Sequence, residues 1–372
     1  MPQFLINTFT HWEEPPRARH QVAHALAKNY SVVFVAANKF GFPGTRSSSI
    51  HGNLKVLTPF FPISNKIRYR LPIINELYQY WLFRKLVNSY KDYEVINFDY
   101  TATKIYDFFT RVIYYCNDSF SSLSNHINPS FIARYHRRCE SRVAAGARFC
   151  VAVSDILKEN LIKFNPNSIE IPLGSPDISE YNIAQNFQPA KNKTLQVGLV
   201  GFMNIHIISY NIINLLLKDE NISLTIIGPV EKKFLNFIEN KDRLNLKGTL
   251  TGKELYEAID KFDVTISPYC SSLSDDRHSG VGTGSKIYHY FALGKPVVIS
   301  YMAGLAKINL PDKFMYVANA EEDFASLVYK AFRENTAELA KQRIEFANNN
   351  TWEKRMEKLI DHYRNYDLQH TP

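Results

Sequence analysis

Short apolar runs rich in β-branched residues recur along this chain, each separated from the next by a segment of helical length. Residues 3–8 (Gln-Phe-Leu-Ile-Asn-Thr), 31–36 (Ser-Val-Val-Phe-Val-Ala), 93–98, 111–116, 148–153 and 168–171 make a first series. Residues 195–200 (Leu-Gln-Val-Gly-Leu-Val), 222–227, 244–247, 263–267, 297–300 and 314–317 make a second. Strands this apolar, alternating with helices, predict parallel sheets covered on both faces. The expected fold class is therefore α/β and doubly wound. Ligands of such sheets bind outside the carboxyl ends of the strands, so functional residues are sought at strand exits.

With 372 residues the chain suits about two domains of ordinary size. Residues 175–193 carry no apolar period and read as interdomain connection. This gives a first domain over 1–175, a linker over 176–193 and a second domain over 194–350. The segment 351–372, opening at Thr351-Trp352, is expected to be a helix crossing back to the first domain. Pro15-Pro16 is expected to open a helix with Val22, Ala23, Leu26 and Ala27 on its apolar side. Residues 38–72 hold Gly41, Pro43, Gly44, Pro59, Pro62 and Pro72 and read as loop-rich.

Charge is concentrated in the first half. Residues 1–190 carry 21 Lys and Arg against 14 Asp and Glu, in a chain of net charge +8. A basic half points to an anionic partner. Residues 59–91 mix bases with aromatics (Phe60, Lys66, Tyr69, Arg70, Trp81, Arg84), the composition of an interfacial membrane element. The competing reading is a helix packed on the sheet with a solvated basic edge. No run of about 20 apolar residues predicts a spanning helix, and residues 1–8 read as a strand, not a signal peptide. Cys116, Cys139, Cys150 and Cys270 show no metal spacing and suit reduced thiols of a cytosolic protein. Asp275-Asp276 are adjacent rather than spaced by one, and His20 and His24, the one helical His-x-x-x-His pair with an acid nearby, sit among small apolar residues where an exposed or capping role is expected, so no metal is predicted.

The most informative stretch is residues 280–300. Gly280, Gly282 and Gly284 lead into a short helix that stops at Gly294, and Lys295-Pro296 turns into the strand 297–300. A loop entering a helix presents unpaired N–H groups suited to phosphate. Lys286 adds a full charge in the first turn, and His289 shares its face. Gly282, Gly284 and Ser285 offer backbone or hydroxyl donors, while Arg277 and His278 lie in the polar loop just before. The bland readings are a flexible turn for the glycines and solvated surface charges for Lys286 and Arg277.

Two doubly wound halves, a mid-chain linker, and Lys-x-Tyr-x-Tyr-x-Ala-x-Gly-Lys-Pro-Val-Val over 286–298 resemble the GT-B glycosyltransferases. That resemblance implies two Rossmann-like domains with a cleft between them. The second would bind a nucleotide sugar, and the strand-exit residues Gly201, Phe202 and Tyr269 join Lys286 and His289 as donor-binding candidates. The chain looks similar to bacterial enzymes of the teichuronic-acid type and to the membrane-associated glucuronosyltransferase of xanthan assembly. Their likeness implies UDP-sugar as donor substrate, no required cofactor and a lipid-linked saccharide acceptor. It also implies an anionic membrane surface as partner and a cytoplasmic place on the inner face of the cell membrane. Retaining relatives commonly keep Glu where His289 stands and a paired-glycine loop after the first strand. Neither is present, so inversion is expected.

An inverting transfer needs a general base for the acceptor hydroxyl and positive charge for the leaving diphosphate. Asp118, in Asn-Asp-Ser at a strand exit, is the first candidate base, with Asp99 and His11 as rivals. The capping role common for Asp is the alternative for Asp118. Two other functions remain open at this stage: a sugar-nucleotide epimerase of the same fold, and a basic nucleic-acid-binding protein. The second lacks any recognisable binding module, so no nucleic-acid partner is expected.

Overall fold

The computed structural model describes residues 2–120, 128–183, 194–270, 284–302 and 310–370. They form two compact units, Met1–Leu173 together with Trp352–Pro372, and Gly174–Thr351.

The first unit opens with β1 (Gln3–Asn7), α1 (Ala18–Ala27) and β2 (Ser31–Val35). There follow β3 (Lys39–Phe40), β4 (Gly44–His51), β5 (Leu54–Phe61), α2 (Asn65–Arg68) and α3 (Pro72–Tyr90). β6 (Glu94–Asn97), β7 (Val112–Cys116), α4 (Ser130–Gly146), β8 (Phe149–Ala152), α5 (Asp155–Ile162) and β9 (Ser168–Glu170) complete the series. The sheet order is β3-β5-β2-β1-β6-β7-β8-β9, parallel throughout, with β4 added antiparallel to β5. The chain leaves β1 for β2 on one side and later returns to β6 on the other. That reversal opens a crevice at the carboxyl ends of β1 and β6.

Residues 38–72, expected to be loop, contain three strands. β4 is Arg-Ser-Ser-Ser-Ile-His over most of its length, with no residue fully buried. A strand that buries neither face has no apolar period to read; backbone pairing to β5 holds it, with Arg46 over the Phe60 ring and His51 stacked on His24. The turn passes through Gly52 at φ +46°. Ahead of it, α1 begins at Ala18 rather than at Pro15-Pro16, and the His20 imidazole accepts the Arg17 N–H at 3.1 Å to cap it.

The second unit runs β10 (Leu195–Val200), α6 (Tyr210–Lys218), β11 (Ile222–Ile227), α7 (Lys232–Leu235), β12 (Leu244–Leu246) and α8 (Gly252–Asp260). It continues with β13 (Val264–Ser267), α9 (Lys286–Ala292), β14 (Val297–Ser300), β15 (Met315–Ala318), α10 (Asp323–Glu334) and α11 (Ala337–Asn348). Its sheet is parallel in the order β12-β11-β10-β13-β14-β15. Here the order reverses between β10 and β13, which places the crevice at their carboxyl ends. Gly228, just after β11, has φ +132°, and a Cβ there would lie 2.0 Å from the Gly201 carbonyl oxygen. Only glycine lets these two strand exits approach so closely.

The last helix, α12 (Trp352–His370), belongs to the first unit. It buries Trp352, Met356, Leu359 and Ile360. The Tyr363 hydroxyl donates to Glu94 at 2.8 Å, and Arg111 and Arg148 pair with the same buried carboxylate.

Candidate functional site

In the second unit the crevice is walled by three pieces of chain. β10 leaves through Gly201 and the exposed Phe202, and β13 through Pro268 and Tyr269. α9 is tied to the first exit because the Val200 N–H donates to the Tyr290 phenol oxygen at 2.8 Å. Tyr290 itself is fully buried, so the anchor is part of the core.

Lys286 opens α9, half-buried, with its ammonium 4.4 Å from the centre of the Tyr269 ring. It makes no ion pair among the described residues. Loss of water around it lowers its pKa from 10.5 to about 7. The aromatic face offsets only part of that lost hydration. An ammonium in this state gains most from an incoming anion. α9 is short, ending at Ala292, so the charge rather than the helix dipole dominates attraction here. Gly284, at φ +70°, passes so near Tyr269 that an added Cβ would lie 3.3 Å from the phenol oxygen. Ser285 is exposed beside it.

One turn on, His289 Nδ1 lies 3.0 Å from the Tyr256 hydroxyl of α8, and the two rings stack at 5.8 Å and 10°. Tyr181 also stacks on Tyr256, at 5.5 Å. Burial lowers the His289 pKa to about 4, so the ring is neutral near pH 7. Burial also raises the Tyr256 phenol, which therefore keeps its proton. When that hydroxyl donates to Nδ1, the ring's own hydrogen sits on Nε2 as a donor. Sequence reasoning missed Tyr256, since nothing in its spacing ties α8 to α9. It also missed Ser267, whose fully buried hydroxyl at the β13 exit has no partner among the described residues.

The candidate bases lie in the first unit. Asp99, at the exit of β6, is 4% exposed. One of its oxygens accepts from the Tyr69 hydroxyl at 2.6 Å; the other accepts from the Thr101 N–H at 2.8 Å and its hydroxyl at 2.7 Å. Both oxygens are thus committed to holding the loop. Asp118, after β7, is half-buried and accepts the Ser119 N–H at 2.8 Å. His11 is half-buried, with an Nδ1 that has no partner among the described residues, while its carbonyl contacts the His20 ring at 3.2 Å.

The structure thus brings Gly284, Lys286 and Tyr269 together, with Gly201 one residue beyond the Tyr290 anchor. Asp99, Asp118 and His11 lie at strand exits of the first unit. Gly282, Arg277, His278 and the Asp275-Asp276 pair lie outside the described residues. Among the described residues no three His, Cys, Asp or Glu side chains cluster to hold a metal.

Residues 196–334 match the family model described as glycosyl transferases group 1, a segment that contains Gly201, Phe202, Tyr256, Ser267, Tyr269, Lys286 and His289. No curated protein sequence matches the chain. Among solved structures, sucrose-phosphate synthase from Thermosynechococcus elongatus is similar over 99% of both chains, at 11% identity and TM-score 0.71. The Anabaena HepE structure in complex with UDP and glucose is similar over 97% of this chain and 99% of its own, at 14% identity and TM-score 0.65. The α,α-trehalose-phosphate synthase (UDP-forming) from Burkholderia xenovorans, in complex with glucose-6-phosphate, covers 98% and 100%, at 10% identity and TM-score 0.70. Likeness at such identities carries the fold, and that fold is GT-B: two parallel-sheet α/β Rossmann-like units. The match to the glycosyl transferase group 1 model falls within the second of these units.

Proposed function

We propose that the chain transfers a sugar, a hexose or glucuronic acid, from a UDP-sugar to a lipid-linked or oligosaccharide acceptor. The setting is bacterial surface polysaccharide synthesis. The observation that carries this reading is Lys286: a desolvated ammonium, unpaired among the described residues, beside the exits of β10 and β13. A diphosphate supplies its missing counter-charge. The solved complexes of similar fold that contain UDP and glucose support the choice of donor. His289, neutral and donating from Nε2, suits a ribose or sugar hydroxyl. In the transfer, the acceptor oxygen attacks the anomeric carbon as its proton passes to a carboxylate. The bond from that carbon to the diphosphate oxygen breaks, and Lys286 stabilises the departing UDP. Asp118, half-buried in Asn-Asp-Ser at the exit of β7, is the preferred base, since both oxygens of Asp99 are committed to Tyr69 and Thr101.

The acceptor side is proposed to work at a membrane surface. α3 buries one face through Tyr78, Leu82, Phe83 and Leu86 but leaves Ile73, Leu77 and Tyr80 exposed on another, with Arg84 continuing the stripe. Apolar residues fringed by bases suit the headgroup region of an anionic bilayer. No helix among the described residues is long and apolar enough to cross a membrane. The direct test incubates the protein with UDP-glucose and UDP-glucuronic acid, with and without extracted lipid-linked saccharides. UDP release that depends on acceptor is expected. If neither donor raises the unfolding temperature nor yields UDP, the donor assignment is wrong.

A further inference from the structure

Arg19 stands in the first turn of α1 and is 3% exposed. Its guanidinium donates to the Thr10 hydroxyl at 2.5 Å and reaches the side-chain amide oxygen Oδ1 of Asn117 at 3.5 Å. The Phe9 ring lies 4.0 Å from its carbon and the Phe120 ring 5.3 Å. Among the described residues Nε has no partner and no carboxylate forms an ion pair with the group. Asp99 and Asp118 act on it only through longer-range attraction. Burial lowers the Arg19 pKa, but only to about 10, so the cation persists at neutral pH.

A second buried arginine gives the contrast. Arg68 donates through Nε to Asn38 at 3.1 Å, through one terminal nitrogen to Asn65 at 2.7 Å, and through the other to Asn75. All three nitrogens are used, as expected of a structural group. Arg19 instead keeps donor capacity, and among the described residues its direct contacts are neutral, with Asp99 and Asp118 acting only at longer range. Buried charges are ordinarily paired, and a buried donor without a partner needs a reason. Its position supplies one. Thr10 follows β1, Asn117 follows β7, and Asp99 follows β6, so Arg19 reaches across the strand exits where this sheet's order reverses.

We propose that Arg19 is an anion receptor, binding a phosphate or carboxylate group carried by the acceptor saccharide. This rests on reading the first unit as the acceptor side. The bound oxyanion accepts from the guanidinium fork and supplies the charge that the protein withholds. Phe9 and Phe120 keep water away and strengthen the pairing.

The test titrates inorganic phosphate, glucose 6-phosphate, glucuronate and neutral glucose into wild-type protein, R19M, R19K and K286A, followed by calorimetry. For wild type and K286A, at least one anion is expected to bind and glucose is not. The tightest arm distinguishes a phosphate ester from a sugar carboxylate. In R19M anion affinity should fall about tenfold or more, while UDP affinity stays within twofold, since a bidentate charged contact is lost. R19K keeps the charge without the fork and should bind more weakly than wild type. If R19M does not fold, R19K is decisive, and wild-type affinity in R19K overturns the proposal. So does wild-type affinity in R19M, loss in K286A alone, or no anion binding to wild type. UDP titrated separately reports the donor reading: its failure with Arg19-dependent anion binding intact sinks that reading and not this site.

Discussion

Lys286 is held with its charge partly suppressed, and that has a consequence for pH. Its folded pKa, about 7, lies below the unfolded value of 10.5. Between those values the unfolded chain binds a proton that the native chain lacks, so stability of the unliganded protein rises with pH across that window. A diphosphate reverses the preference by stabilising the ammonium. UDP affinity is therefore expected to fall as pH rises through 7, with binding at pH 8 drawing in close to one proton. Calorimetry in buffers of different ionisation enthalpy measures that uptake, and its absence, or its survival in K286M, contradicts the assignment. His289 gives a second prediction. Y256F removes the hydroxyl that fixes the imidazole hydrogen on Nε2. The expected loss is about 1 kcal/mol of donor binding, roughly fivefold in affinity, with little change in turnover. Lys286 and His289 could be singled out from sequence because both lie on one short helix, three residues apart. Tyr256 and Arg19 could not, because their significance comes from neighbours on other elements and from water that folding removes.

At the scale of elements, what could be read in sequence tracks how completely each segment is buried. The strands β1, β2, β7, β10 and β13 announce themselves as apolar runs because both faces of their sheets are covered. β4 does not, since it buries neither face and is paired to β5 through its backbone. α3 lies between these cases: its aromatic and basic content was visible, but not which residues turn outward. The exposed stripe of Ile73, Leu77 and Tyr80 makes a specific prediction. The double variant I73E/L77E should bind anionic vesicles about tenfold or more weakly, and wild-type binding should itself weaken with salt. Flotation of phosphatidylglycerol vesicles measures both, and unchanged recovery of the variant removes α3 from the membrane contact. The strand exits carry a different constraint. In G228A the added methyl meets the Gly201 carbonyl at 2.0 Å in a backbone conformation that disfavours any side chain. A destabilisation of about 3 kcal/mol or more is expected, seen as a lower unfolding temperature.

The whole chain is organised so that Gly174–Thr351 is continuous while the unit around it is assembled from two separated segments. α12 is the second of those segments, and the first unit depends on it in two ways. Trp352, Met356, Leu359 and Ile360 bury their side chains. Tyr363 and Arg148 converge on Glu94, a carboxylate only 2% exposed, whose pKa burial raises and these partners oppose. Deleting residues 352–372 exposes an apolar face and strips one donor from a buried acid. Four large side chains at about 1.5–3 kcal/mol each amount to most of a domain's net stability. The truncated chain should therefore lose the unfolding transition of the first unit and aggregate through its uncovered sheet. Residues 174–351, which lose no packing partner of their own unit, should keep a cooperative transition and their UDP-dependent stabilisation. Differential scanning calorimetry of the truncated chain, with and without UDP, separates the two transitions. A truncated chain that retains both transitions shows that α12 is dispensable to the first unit's core; one that loses both shows that the second unit cannot fold without it.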